Sequence, residues 1–415
     1  MLYSIRINSR YSDTSEGDTM GEKTRFIAKR MEHLKSIGLT DTAEMLKLVR
    51  GVEGVIDLGY GDPSYTTPAH IIEAAKRALD EGYTHYVLPV EGFTELREAI
   101  GRKLSSENGI HADPNTDVIV TVGVEEAINV IMLTLLDPGD EVILPEPFYG
   151  PVPKAIRLAG GVPVFTQLRE ERDFRIDPED VKMKITPKTK MIYLISPNAP
   201  TGGVLRKEDL ERLAQIAQQK DLLVVTDEIY EKLIYDGEKH ISIASLPNMK
   251  DRTISMFGFS KAYAMCGWRI GYLTANREFV RNMIAIHVQL VLMANSVAQK
   301  AALAALTGPQ DCVEEMRKDF EQRRNFFVKG LNALGIRCKP PKGSMYLFAN
   351  VSELGLSGVE FAKRLATEAR VLIYPSLTST SDMSYAKYVR FTFTSVTTEQ
   401  LSTALERIEG FVKKL

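Results

Sequence analysis

The chain has 415 residues, 44% hydrophobic and 26% charged, the composition of a globular protein with room for two domains. Its 52 basic and 54 acidic residues leave a net charge of -2, which gives no electrostatic reason to expect nucleic acid or an anionic membrane as a partner. Cys266, Cys312 and Cys338 form no CxxC or Cys/His cluster, so neither a disulfide framework nor a zinc site is indicated, and a reducing, cytoplasmic setting fits.

Residues 1–19 are polar and mixed in charge, without the apolar stretch of a signal peptide, and no run anywhere approaches the roughly 20 apolar residues that span a bilayer. They read as a flexible extension or as the product of an upstream start, since Met20 precedes a helix-like run, GEKTRFIAKRMEHLKSIG. Residues 20–61 are too short to stand alone and are expected to pack against the C-terminal part. From 62 to 306 the pattern is α/β. Apolar runs at 117–121, 141–144, 191–195 and 222–225 suit strands buried on both faces, as in a parallel sheet. Between them, Ile128, Ile131, Met132 and Leu135 share one helical face, and Leu210, Leu213, Ala214 and Ala217 share another. From 307 to 415 the texture becomes α+β. A charged helix at 313–334 is followed by MYLFAN at 345–350, a helix near 359–368, VLIY at 371–374, VRFTFT at 389–394 and a final helix. That last helix places Leu401, Leu405, Ile408 and Val412 on one side. A large, mostly parallel α/β domain with a smaller α+β partner follows, and the cleft between them is the expected site.

Four segments follow strands, where open α/β sheets bind ligands. In SKAYAMCGWRIGY (260–272), Lys261 sits among small and aromatic residues and Arg269 follows eight positions later. A buried amine with a lowered pKa can attack a carbonyl, and a guanidinium can hold a phosphate bidentately. In TDEIY (226–230), Asp227 at a strand end can pair with a protonated pyridine nitrogen, and Tyr230 can donate to a phenolate oxygen; Asp227 fits a helix N-cap equally well. In TVGVEEA (121–127), a strand runs through Gly123 into a helix whose first amides, around Val124 and Glu125, suit a phosphate or form an ordinary tight turn. SPNAPTGG (196–203) by itself means only a turn.

Together these motifs resemble the class I and II aminotransferases, pyridoxal 5′-phosphate enzymes of fold type I, from about Ile56 to the C-terminus. The resemblance implies a seven-stranded sheet in the cofactor domain. It assigns Lys261 as the residue that carries the cofactor as a Schiff base, Ser260 beside it, and Arg269 on the phosphate with Gly123, Val124 and Glu125. Asp227 would meet the pyridine nitrogen, Tyr230 the 3′-oxygen, and Tyr149 of PEPFYG (145–150) would stack on the ring. Gly61 of GDPSY (61–65) and Arg390 of YVRFTF (388–393) would hold the substrate carboxylate. Tyr86 would reach the other subunit's site, which implies a homodimer. The implied reaction moves an amino group from an L-amino acid to a 2-oxo acid with ping-pong kinetics.

Two departures from the family pattern stand out. Where the family has N-P-T-G, this chain places Ala199, with Asn198 one residue earlier, so either Asn198 takes over the 3′-oxygen contact or Tyr230 makes it alone. Glu125 replaces a Ser, Thr or Lys; either its carboxylate turns away and only its backbone N–H serves, or it helps recognise a non-acidic donor. In 281–306 only Arg281 offers a guanidinium for a second carboxylate, and it falls too early. The same fold and residues also serve lyases, cyclases and decarboxylases of amino acids. A dehydrogenase reading lacks the GxGxxG that should follow the first strand, and a catalytically dead fold conflicts with intact Lys261, Asp227, Arg269 and Arg390.

Overall fold

A computed structural model describes residues 42–415, together with Ala28 and Met31. The expected extension at 1–19 and the helix-like run after Met20 lie outside the described residues. The main sheet has seven strands: β2 (Val118–Thr121), β3 (Glu141–Glu146), β4 (Val162–Gln167), β5 (Thr189–Ile195), β6 (Leu223–Asp227), β7 (Thr253–Gly258) and β8 (Gly271–Thr274). Their order is β2-β8-β7-β6-β5-β3-β4. All neighbours run parallel except β8, which is antiparallel to both β2 and β7. The carboxyl ends of β2, β5, β6 and β7 therefore share one edge with the amino end of β8. The register fixes this, because Gly271 pairs with both Thr121 and Gly258.

The uninterrupted apolar runs are explained by burial on both faces. Val118, Ile119, Val120, Ile143, Ile192 and Val224 are all 0–1% exposed. The helix Gly123–Leu135 covers one face with Ile128, Ile131 and Met132, and Lys207–Gln219 buries Leu210, Leu213, Ala214 and Ala217. Helices Arg277–Leu290 and Ser296–Thr307 lead to the long helix Asp311–Ala333.

A smaller antiparallel sheet orders β11 (Tyr374–Pro375), β12 (Tyr388–Thr392) and β9 (Tyr346–Asn350). The run VLIY does not form a single strand. Val371–Leu372 (β10) pairs in parallel with Ile56–Asp57 (β1), and after Ile373 the chain changes partner to β12. Residues 56–57 are thus stitched to the C-terminal part through the backbone. Helices Gly358–Glu368 and Thr398–Val412 close this region around Phe361, Leu365, Leu401 and Ile408, each fully buried. Among the described residues no helix is long and apolar enough to cross a membrane.

Candidate active site

Three parts of the chain meet at the carboxyl edge of the large sheet. The first is the sheet's own loops. β6 ends at Asp227, which is 2% exposed. Its Oδ1 accepts from the Ile229 N–H at 3.1 Å, and its Oδ2 accepts from the Tyr193 hydroxyl at 3.4 Å. The Ile229 bond is the N-cap-like turn the sequence allows. Burial pushes the Asp227 carboxyl up to about 7, and the nearby Glu228 and Glu125 charges add to the rise. Its two recorded partners are a hydroxyl and an amide rather than a cation, so the carboxylate suits a protonated ring nitrogen. Glu228, the next residue, is committed elsewhere: its Oε2 lies 2.6 Å from His240 Nε2 and accepts from Ser242 Oγ.

β7 ends at Gly258 and leads through Ser260, 7% exposed, to Lys261. Lys261 Nζ donates to the Gly61 carbonyl at 2.5 Å and lies 3.5 Å from Cys266 Sγ. The loop is pinned by Trp268 Nε1–H donating to Thr67 Oγ1 at 3.0 Å, while Thr67 Oγ1–H donates to the Ala264 carbonyl at 2.7 Å. Arg269 adopts φ +51° just before β8. Its Nη1 donates to the Cys266 carbonyl at 3.1 Å, and the rest of the guanidinium faces Gly123. Gly123 has φ +75°, and a Cβ there would stand 2.8 Å from Arg269 Nη2. Glycine thus serves twice, for the left-handed turn and for the close approach. The first amides of the helix at Gly123, which have no intrahelical acceptors, and an exposed guanidinium converge as an anion cradle.

The second part is the 57–62 segment, stitched to β10. Asp57 Oδ1 accepts from Gly59 N–H at 2.8 Å and shapes this turn. A Cβ on Gly61 would overlap the Tyr346 hydroxyl, so only glycine lets the segment pass. The third part is the small sheet. Arg390 on β12 donates through Nη2 to the Gly59 carbonyl at 2.8 Å, and its guanidinium carbon lies 4.8 Å from the Tyr346 ring centroid and 5.2 Å from that of Tyr374. Arg390 Nε is buried without a partner, so this guanidinium has capacity for an anion. The hydroxyls of Tyr230 and Tyr346 are 3.5 Å apart and their rings meet edge-on, joining the two sheets across the cleft.

The structure therefore brings together Gly61, Gly123, Val124, Asp227, Tyr230, Ser260, Lys261, Arg269 and Arg390. Tyr149 joins them through Glu125: its hydroxyl donates to Glu125 Oε2 at 2.8 Å. The Glu125 carboxylate is thus engaged by the hydroxyl of Tyr149, while its backbone N–H stays among the first amides of the helix. Asn198 is oriented by its own turn, which leaves its Nδ2–H2 as the group that could donate. Its Oδ1 accepts from Thr201 N–H at 3.1 Å and from Thr201 Oγ1–H at 2.8 Å, closing its own turn. Ala199 belongs to the buried apolar cluster that also holds Tyr193 and Tyr230. Tyr86 is 78% exposed and free to meet another molecule. Arg281 borders a recess with Asn115 and Thr116 at the start of β2, the far end of that strand from Gly123. Tyr346, Tyr193 and Tyr374 escaped the sequence reading, because each reaches the site only through residues distant in sequence.

The donor set fits pyridoxal phosphate: an anion cradle, a carboxylate for a ring cation, an amine and a carboxylate-binding guanidinium. A family model described as aminotransferase class I and II matches residues 53–408. The chain is similar to aromatic-amino-acid aminotransferase 2 of Thermococcus litoralis, 40% identical over 92% of this chain and 98% of that protein. It is also similar to aspartate aminotransferase of Pyrococcus abyssi, 39% identical with the same coverage. Among solved structures, the aromatic aminotransferase of Pyrococcus horikoshii superposes with a TM-score of 0.84, 40% identity, and coverage of 90% of this chain and 98% of that one. The aspartate aminotransferase of Thermus thermophilus with maleate gives 0.85, 37% identity, and coverage of 92% and 99%. These relatives carry transaminase names rather than those of lyases, cyclases or decarboxylases, and the chain belongs to the class I and II aminotransferases, pyridoxal-phosphate-dependent transaminases of fold type I.

Proposed function

We propose that this transaminase works from the edge of the large sheet with Lys261 as both cofactor anchor and proton carrier, on an L-amino acid whose side chain is not acidic. When bound, pyridoxal phosphate accepts the donor's amino group and delocalises the electron pair left at its Cα. Arg269 and the amides at Gly123, Val124 and Glu125 would hold the phosphate, with Ser260 beside them. Asp227 would hold the proton on the ring nitrogen. Tyr230 would donate its hydroxyl to the 3′-oxygen, and Tyr149 would cover the ring face. Arg390, with Gly61 beside it, would orient the donor's α-carboxylate. The Lys261 amine, freed by the incoming donor, would take the proton from the donor's Cα and deliver it to the cofactor carbon that receives the amino nitrogen. Release of one oxo acid before entry of the next predicts ping-pong kinetics.

The observation that carries this reading is Asp227, a fully enclosed carboxylate at a strand end whose partners are a hydroxyl and an amide. Relatives are named for both aromatic and aspartate substrates. Glu125 supports the non-acidic reading, because a carboxylate bonded to Tyr149 at the site wall repels a second carboxylate, and of the two named classes the aromatic one meets that condition. We further assign 62–306 to the cofactor domain and 307–415, with residues 42–61 of the 20–61 segment, to the smaller one. The active unit is a homodimer in which Tyr86 enters the second site. Three unpaired cysteines accord with a cytoplasmic location. The test is absorbance: the cofactor band should bleach with an aromatic donor and return with an oxo acid. Lys261→Ala should abolish turnover; substantial transamination by that variant would overturn the assignment.

A further inference from the structure

Helices Arg277–Leu290 and Ser296–Thr307, with the turn between them, hold the 83–93 segment by side chains along its length. Ser296 Oγ–H donates to the Tyr83 carbonyl at 2.6 Å, and Met293 Sδ accepts from Val87 N–H at 2.7 Å. Gln299 Oε1 accepts from Phe93 N–H at 2.8 Å. Tyr86 stands between the first two anchors. His287 supplies another: its Nε2 is 3.3 Å from the Val90 carbonyl. A carbonyl only accepts, so this nitrogen carries hydrogen.

His287 differs from the other anchors because its second nitrogen continues the chain of contacts. Nδ1 lies 2.6 Å from Glu126 Oε1, 161 residues away in sequence. Glu126 Oε2 in turn accepts from Val122 N–H at 2.5 Å, inside the turn that precedes Gly123. His287 is 0% exposed and Glu126 8%, so this pair is enclosed and both ring nitrogens are used.

We propose that His287 is a positioning residue that locks the phosphate-binding turn at Gly123 to the segment carrying Tyr86. The inference rests on the reading that this turn holds the phosphate and that Tyr86 serves the second subunit. At one end, Glu126 takes the Val122 amide, so the next amides of the helix remain aimed at an anion. At the other end, Val90 is fixed beside Glu91, whose carbonyl accepts from Val120 N–H of β2 at 2.8 Å. Removing the imidazole strands a buried carboxylate and a carbonyl at once. One histidine thereby supports the phosphate grip of its own site and the placement of Tyr86 in its neighbour's.

The experiment follows the visible cofactor band of purified holoenzyme after dilution into cofactor-free buffer, and its return on titration with pyridoxal phosphate. His287→Leu should raise the cofactor dissociation constant about tenfold, while the donor KM changes by less than about twofold. His287→Gln, whose carboxamide N–H can still donate, should recover most of the loss. Parental affinity in His287→Leu overturns the proposal. So does a loss that tracks the protein's thermal midpoint and is not recovered by glutamine. If His287→Leu fails to accumulate, Glu126→Gln carries the test: a rise of severalfold supports the link, and a parental constant overturns it. Arg269→Gln separates the two levels, because parental affinity in that variant would overturn the phosphate assignment itself.

Discussion

Asp227 has an ordinary carboxylate value when the chain is unfolded and is pushed up to about 7 by burial when the chain is folded. The folded, cofactor-free protein therefore binds a proton that the unfolded chain releases, and its stability falls as pH rises from about 4 to 7. The cost above that window reaches about 4 kcal/mol in the absence of a compensating cation. Asp227→Asn removes this group, so cofactor-free Asp227→Asn should lose less stability than the parent between pH 5 and pH 8. Thermal midpoints of the two proteins across that range decide it, and parallel slopes would refute the account. Saturating pyridoxal phosphate should narrow the gap by supplying the ring cation to the parent alone. Glu125 is the second residue whose charge can be read out. Glu125→Thr should raise the kcat/KM for a dicarboxylic donor relative to an aromatic one by about fivefold or more, and an unchanged ratio would remove Glu125 from donor selection. Lys261, Asp227, Arg269 and Arg390 were legible because each stands in a local motif. Tyr346 was not, since it matters through Tyr230 and Arg390, which are 116 and 44 positions away. Asn198 shows the opposite case, a local one: Thr201, three residues on, fixes its Oδ1 and so sets where its side-chain amide points.

Elements were legible where both faces are buried. The apolar runs at 117–121, 141–144, 191–195 and 222–225 became β2, β3, β5 and β6. β4 was missed because VPVFTQ carries a proline and polar residues and stays partly exposed at the sheet edge. β8 was missed because it is only four residues long and its first two, Gly271 and Tyr272, end the motif that carries Arg269. The split of VLIY between two sheets has no local signal at all, since period and composition do not change at Ile373. The long helix Asp311–Ala333 appears in sequence as a charged helix, yet two of its charges, Arg323 and Arg324, are internal. Arg324, 1% exposed, donates from Nη1 to the Pro341 carbonyl and to Asp236 Oδ2, both at 2.8 Å, and from Nη2 to Asp236 Oδ1 at 2.6 Å. It ties the helix to the segment after Tyr230. Arg324→Met should cost about 2 kcal/mol, because the Pro341 carbonyl loses its enclosed donor while Asp236 keeps Lys342 and water. Bonding to Arg324 holds the Asp236 carboxyl down to about 2, so its contribution is present above the ordinary carboxylate range and is lost as pH falls toward that value. Denaturation of parent and variant at pH 7 and pH 3 should therefore show the smaller difference at pH 3; an equal difference would assign the effect to packing alone.

At the scale of the whole molecule, the cleft collects residues from both sheets and from the 57–62 segment, but Tyr86 faces outward. Leu88, 80% exposed, and Leu290, Val291 and Leu292, at 36–46%, share this outward face with it. A tyrosine that completes a site in a second copy gives a prediction that a tyrosine acting in its own subunit cannot meet. In the proposed homodimer Tyr86 would donate to the phosphate of the second site, so Tyr86→Ala would remove that contact at both sites, and losing a hydrogen bond to a charged group costs about 1.5–3 kcal/mol, roughly tenfold or more in cofactor affinity. Lys261→Ala homodimers are inactive at both sites. In a hybrid of the two, one site has intact Lys261 together with an intact Tyr86 arriving from its neighbour, and the other carries both defects. Co-expression with distinguishable tags and purification of the hybrid should therefore yield about half the parental activity per dimer at limiting cofactor, well above either parent variant. If Tyr86 instead acts within its own subunit, every hybrid site carries a defect. The hybrid then shows no more than half the weak activity of the Tyr86→Ala protein, and the shared-site arrangement is excluded.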